Sequence, residues 1–412
     1  VEIAWAERCG RYAARVLEGL RFGPSPRWMQ ARLTACGMRP LGNLIDVTNY
    51  VLLETGQPLH AFDLDKVRGG RIRVRAAGEG EKLTTLDGKE RHLVADDLVI
   101  ADEERALVLA GVMGGEDAEV GEGTTRVLIE SAHFEAAGIR RSSKRHGIHS
   151  ESSHRFERGA DPEAVRLALD RAAELMQELA GGRLAKGVID VYPGKEEPKE
   201  VHLRFDRVTA LLGTEIPAEE SRKILTKLGF DEIRADEKGA TFRVPSFRVD
   251  VSREADLVEE VARIHGYDAI PERAPAAPAR VPEVGLAERV MERAAAALSA
   301  AGLDEALHLA FADPAKDGEI LRQETSFVRL QNPLAEHQSA LRTSLLPALL
   351  RTVAFNLNRG ADSVRLWERG RVFLPRAAKA TPVVEAEQLR GVLYGPAHAP
   401  TSRWRSSTAS TR

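Results

Sequence analysis

Up to about residue 199 the apolar positions fall in short runs broken by turn residues. "RIRVRA", "KLTTLDG", "HLVADDLVIAD", "ALVLAGVMGG" and "RVLIESAHF" read as strands, with Asp87-Gly88 among the turns between them. Two helices bracket these runs. "SPRWMQARLTACG" has Ser25 as N-cap, Pro26 at the first helical position and Gly37 as its stop. "DPEAVRLALDRAAELMQELAGG" opens on Asp161-Pro162 and closes on Gly181-Gly182, with apolar residues at helical spacing between. The pattern predicts a mixed α/β domain over residues 1–199.

From about Glu200 to Pro271 the order reads strand, helix, strand, helix. Its last helix sets Leu257, Val258, Val261 and Ile264 inward, while Asp256, Glu259 and Glu260 crowd within about one turn and Asp250 precedes them. Like charges so placed cost a few tenths of a kcal/mol per pair. A solvated acidic face is the bland reading. A hard cation such as Mg²⁺, which prefers carboxylate oxygens, is the functional one. Residues 273–284, Pro- and Ala-rich, read as a stiff linker. Beyond it "LAERVMERAAAALSAAG" and "SALRTSLLPALLRTVAFNLNRG" read as helices and "SVRLWERGRVFL" as a strand, in a third region over 285–412.

A length of 412 residues suits two to four domains. The net charge of −3 confines any nucleic-acid surface to a local patch. Two cysteines, Cys9 and Cys36, make no disulfide scaffold and fit a reducing cytoplasm. No apolar run approaches the ~18 residues of a membrane span. Val1 in place of an initiator Met, and a closing "TSRWRSSTASTR" without apolar period, read as a fragment cut at both ends.

Two polar clusters interrupt the first region. In "RPLGNLIDVTNYVLLETGQPLHAFDLDKV", Asn43, Asp46, Thr48, Asn49, Gln57, His60 and Asp63 punctuate an apolar segment. Each must find a partner or cost ~1–3 kcal/mol, so they are internal hydrogen-bonders or they line a pocket. In "SSKRHGIHSESSHRFERG", His146, His149 and His154 invite a metal, but no cysteine or HExxH helix accompanies them. Lys144, Arg145, Arg155 and Arg158 among hydroxyls suit a phosphate, an ordered loop or a solvated basic face better. No P-loop, GxGxxG or GxSxG motif is present.

These clusters in this order, with "AGVMGG", "LIESAHF", "FRVPSFRVDVSREADLVEEVARIHGYDAIP" and "LQNPLAEHQSALRTSLLPALLRTVAFNLNRG", resemble the β subunit of bacterial phenylalanyl-tRNA synthetase. The likeness runs from Val1 to about Gly395. It implies a multidomain α/β and α+β chain. An editing domain spans 1–199, a small helix-rich metal-binding module with a DNA-binding-like fold spans 200–272, and the start of a class II synthetase-like antiparallel-sheet domain, non-catalytic, follows from 285. The family's tRNA-binding N-terminal region and anticodon-gripping C-terminal domain have no counterpart here.

The resemblance implies that the chain supports ATP-dependent charging of tRNA(Phe) by an α subunit in a cytoplasmic (αβ)₂ heterotetramer, with ATP bound by α. It also implies hydrolysis of mischarged Tyr-tRNA(Phe). By family position Glu130 accepts the tyrosine phenol, while His60, Thr48 and Asn49 line the ester end, where His60 holds the attacking water. Gly114 and Gly115 form the close backbone wall, and Ser150 and Ser152 shape the amino-acid pocket. Asp250, Asp256, Glu259 and Glu260 are the implied Mg²⁺ ligands. Ser150 and Ser152 stand where Thr and Ala are usual, and Glu151 where Asp is usual. A non-catalytic RNA-binding or regulatory fragment is the alternative function.

Overall fold

The strand Arg126–Phe134 runs between Cys9–Glu18 and Leu59–Asp63, antiparallel to both, in a computed structural model that describes residues 1–195, 197–273, 283–322, 326–376 and 383–396. The short strands Arg183–Leu184 and Ile189–Val191 complete this sheet along Cys9–Glu18. Strand residues alternate between faces. Ala13, Leu17, Val127 and Ile129 point to one core, shared with helices α1 (Arg27–Ala35), α2 (Asn43–Thr55) and, later in the chain, α5. Tyr12, Ala14, Phe62, Leu128, Ala132 and Phe134 point to the other, against a second sheet. That sheet orders Glu2–Ile3, Arg73–Ala76, Leu98–Ala101, Ala106–Leu109 and Met113–Gly114. The layers are therefore helices, sheet, sheet, a mixed α/β arrangement.

After the central strand come α3 (Ala136–His146), the short α4 (Glu151–Phe156) and α5 (Ala164–Ala180). The predicted strands and the two bracketing helices are present, with shifted ends. Ser25 does not cap α1, because its hydroxyl donates to Asp46 Oδ2 at 2.6 Å, and Pro26 occupies the cap position. The polar-punctuated segment after Arg39 is largely a helix, α2.

Residues 200–272 hold a third core around Leu203, Phe230, Phe242 and Leu257. It joins α6 (Phe205–Leu212), α7 (Ala218–Lys227) and α8 (Glu254–His265) to a three-stranded antiparallel sheet, Glu200–Arg204, Gly239–Arg243, Asp231–Ala235. The module is thus helix-rich, its three helices packed on one three-stranded sheet. The strand Asp231–Ala235 escaped the pattern because Ile233 is its one large apolar residue. Val1–Ala274 forms one unit and Pro275–Arg412 another. The expected linker lies outside the described residues over 274–282, as does the tail after 396.

The second unit contains α9 (Leu286–Ala300), α10 (Pro314–Leu321) and α11 (Leu346–Leu357). Its principal sheet pairs Val364–Pro375 with Val383–Tyr394 antiparallel, and with Asp304–Glu305 parallel. The sheet is therefore mixed rather than antiparallel throughout. The expected helix from Ser339 begins only at Leu346, because Ala340–Leu341 pairs into a second small sheet.

Candidate functional site

Glu130 occupies a core column. Leu128, Ala132 and Phe134 share its face of the strand and are buried, and Glu130 itself is 5% exposed. Directly opposite it in the ladder is His60, and on the other flank Ala14. Tyr12, one diagonal step away and fully buried, donates its phenol hydrogen bond to Glu130 Oε2 at 3.1 Å. Burial pushes the Glu130 carboxyl up to about 8, the Tyr12 bond opposing this. Burial, then the carboxylate charge, pushes the Tyr12 phenol up as well. Enclosure drives the His60 imidazole down to about 4, so at neutral pH it is an uncharged base with a lone pair. The pair is set up to stay neutral.

The second sheet closes over His60 through Gly114. A Cβ on Gly114 would stand 2.7 Å from His60 Cε1 and 3.0 Å from Leu86 Cδ1, so only glycine leaves room for the ring. Gly115 has a different constraint: its Cβ would meet the Leu107 carbonyl oxygen at 2.5 Å. It serves the sheet, bonding through its N–H to that carbonyl. Gly111, which the sequence does not single out, turns with φ +67° under Phe134, Ile139 and Phe156. Its positive φ carries no signature beyond the glycine itself.

Ser150 caps α4. Its hydroxyl accepts from Ser153 N–H at 3.0 Å and donates to the Val112 carbonyl at 2.6 Å, which ties α4 to the Gly111–Gly115 turn. Ser152 is half-buried on the same helix. Thr48 and Asn49 lie on α2, whose Leu44, Val47 and Val51 pack on the face of the central sheet opposite Glu130. The Thr48 hydroxyl donates to the Ile45 carbonyl at 2.7 Å. The structure thus brings Glu130, His60 and Gly114 together, with Ser150 bonded to the turn that carries Gly114. It gives Thr48 a bond within its own helix.

Other polar residues of the first cluster are internal hydrogen-bonders. Asp46 accepts from Ser25 and from Leu41 N–H, Asp63 accepts from Thr124, and Gln57 donates to the Ala132 carbonyl. The three histidines of the second cluster do not converge. His146 Nε2 lies 2.8 Å from buried Asp97, which also accepts from Ser142 at 2.7 Å and Arg145 at 2.5 Å. His154 sits beside Arg158, and His149 is exposed. This cluster is a lock between α3 and the loop before Leu98–Ala101.

The acids of α8 are likewise engaged. Arg248 bridges Asp250 at 2.7 Å and Glu260 at 2.8 Å, and Arg263 holds the other Glu260 oxygen at 2.6 Å. Arg248 holds both carboxyls below the usual carboxylate range, and Arg263 adds to the effect on Glu260. Asp256 accepts from the Ser252 and Arg253 N–H groups, as the acid of a capping box. Glu259 is exposed and Glu260 is buried, so they do not share one face. Among the described residues no three acids, histidines or cysteines are placed to hold a metal ion. The expected Mg²⁺ set does not fit a cation in this arrangement, because Arg248 already stands between two of its members. Ile264, expected inward, is 47% exposed near the end of the helix.

Residues 8–181 match a B3/4 domain, 201–267 a tRNA synthetase B5 domain, and 270–410 a phenylalanyl tRNA synthetase beta chain CLM domain. The chain is 50% identical over 400 residues to the phenylalanine--tRNA ligase beta subunit of Anaeromyxobacter dehalogenans (strain 2CP-C), covering 96% of this chain and 50% of that one. It is 47% identical over 399 residues to the same subunit of Moorella thermoacetica, covering 96% and 49%. With that of Geobacter metallireducens it shares 45% over 394 residues, covering 95% and 49%. The chain spans about half the length of these relatives. Over that half it belongs to the phenylalanine--tRNA ligase β-subunit family.

Proposed function

We propose that residues 1–199 hydrolyse tyrosine wrongly esterified to tRNA(Phe), and that the chain acts as the β part of an (αβ)₂ enzyme in the cytoplasm. In that enzyme the α subunit charges tRNA(Phe) with phenylalanine, and ATP and Mg²⁺ serve that charging step.

The observation that carries it is the cross-strand pair of buried Glu130 and half-buried His60, facing Gly114. Tyrosine and phenylalanine differ by one hydroxyl, which an apolar pocket rejects only weakly. A site built to hydrogen-bond that hydroxyl discriminates strongly, because the wrong ligand leaves a buried polar group unpaired. In Glu130, Oε2 already receives the Tyr12 phenol, and Oε1, which carries the acid's proton at neutral pH, donates to the phenol oxygen of the ester. His60, neutral at working pH, accepts a hydrogen bond from water and orients its oxygen toward the ester carbonyl. As that oxygen bonds to the carbonyl carbon, the C–O bond to the ribose breaks and the water's proton ends on the leaving ribose oxygen. Gly114 leaves space for the imidazole ring.

The test is deacylation of tyrosyl- and phenylalanyl-tRNA(Phe) by this chain beside its Glu130→Ala variant. Tyrosine-selective hydrolysis, with selectivity lost in the variant, is expected. Hydrolysis by the folded chain that ignores the phenol, or none at all, overturns the assignment.

A further inference from the structure

Arginines in the first unit are mostly neutralised. Arg8, Arg11, Arg15, Arg75, Arg126 and Arg145 each pair with a carboxylate. One segment departs from this. Residues 19–45 hold Arg21, Arg27, Arg32 and Arg39 and no Asp or Glu, in a chain of net charge −3. All four are exposed, and among the described residues none of them has a carboxylate partner.

The same segment displays aromatic surface. Trp28 on α1 is 42% exposed and meets Tyr50 of α2 edge-on, ring centroids 5.3 Å apart. Arg32 lies 5.2 Å from the Trp28 ring centroid and donates to the Tyr50 hydroxyl at 2.7 Å. Its guanidinium is therefore held in place beside the indole rather than free to sweep. A cavity of about 510 Å³ adjoins, lined by Phe22, Pro24, Ser25 and Leu41 and also by the carboxylates Asp46 and Glu122, so an anionic ligand is placed on the outer face of α1 and not in this cavity. Tyr50 follows Asn49 on α2, and α2 leads through Gly56 into the strand that carries His60.

An exposed ring beside cations that no protein acid neutralises is the recurring chemistry of single-strand recognition. Bases stack on the aromatic face and phosphates meet the guanidiniums. An acidic protein partner would use the charges but leave the fixed indole without a role. We propose that the face formed by α1 and the segment entering α2 binds unpaired RNA, one base stacked on Trp28 and the flanking phosphates on Arg27 and Arg32. The inference rests on the proposed function in one respect, that the occupant is RNA bearing an ester at its end.

The test uses the whole chain and a fluorescein-labelled single-stranded oligocytidylate, titrated by anisotropy at several salt concentrations, with polyglutamate as competitor. Trp28→Ala is expected to weaken binding about tenfold, the scale of one lost stacking contact. Arg27→Gln with Arg32→Gln is expected to flatten the dependence of affinity on salt. Arg140→Gln, an exposed arginine on α3, is the control and leaves both unchanged. Equal urea midpoints for all variants establish that each is folded. Binding that is indifferent to Trp28 and to the arginine pair, or is displaced as readily by polyglutamate as by RNA, overturns the proposal. Glu130→Ala separates this surface from the editing site. If RNA binding depends on Trp28 while no tyrosine-selective hydrolysis occurs, this surface stands and the editing assignment falls. If hydrolysis is tyrosine-selective while binding ignores Trp28, the editing assignment stands and this surface falls.

Discussion

The phenol of Tyr12 and the carboxyl of Glu130 share one 3.1 Å hydrogen bond in the layer between two sheets. The native carboxyl holds its proton up to about pH 8, whereas the unfolded chain releases it near the ordinary value of 4.5. Between those limits the folded state binds more protons, so stability falls as pH rises through that window. Glu130→Gln is expected to remove that slope and to gain on the order of 1–3 kcal/mol relative to the parent above neutral pH. Urea unfolding at pH 5 and pH 8.5 measures it. A parent whose stability does not drop between these two pH values refutes the assignment.

Gly114 and Gly115 are adjacent but have different neighbours. Gly114→Ala drives a methyl against the edge of His60, a movable ring, and is expected to cost roughly 1–3 kcal/mol while abolishing ester hydrolysis. Gly115→Ala presses on the Leu107 carbonyl, a backbone group, and is expected to unfold the domain at lower urea than Gly114→Ala. Comparing hydrolysis rate with unfolding midpoint for the two variants separates them.

Arg248 does for Asp250 and Glu260 what a cation would otherwise do. Chelator is therefore expected to leave the melting temperature of the parent unchanged. Arg248→Ala leaves buried Glu260 with Arg263 alone, and is expected to cost roughly 1–3 kcal/mol. Millimolar Mg²⁺ is expected to restore part of that loss in the variant and none in the parent. A parent that melts earlier in chelator would show that the arginine does not suffice.

In the second unit Glu368, 1% exposed, accepts from Arg342 at 2.6 Å and faces His308 Nδ1 at 2.7 Å. Removing the carboxylate strands a buried guanidinium. Glu368→Ala is expected to cost about 3–5 kcal/mol, more than any exposed ion pair of the same unit, such as Arg371–Glu385. Calorimetry of the two variants checks the ranking.

Period and turn chemistry made the strands and long helices legible, because burial on one face writes itself into alternation. Even the orientation of Glu130 could be read, since Leu128, Ala132 and Phe134 place it in a core column. Its partner Tyr12 could not: 118 residues separate them, and only the ladder between Cys9–Glu18 and Arg126–Phe134 brings them together. Ser25 misled for a similar reason, its hydroxyl finding Asp46 instead of the adjacent helix end. The arginine partners of the acids at 250–260 were not legible either, because spacing along the chain does not say which cation each acid meets. Charges spaced for a shared face were divided between solvent and core, and Arg248, two residues before Asp250, reached both Asp250 and Glu260.

One hydroxyl, that of Ser150, serves both the first turn of α4 and the Val112 carbonyl of the Gly111–Gly115 turn. The two segments cannot drift independently over evolutionary time. Threonine at 150 preserves both bonds, whereas alanine severs the cap and the tether at once. Change at the neighbouring Ser152 carries no such debt, so diversification of the pocket has an open route through 152 and a narrow one through 150.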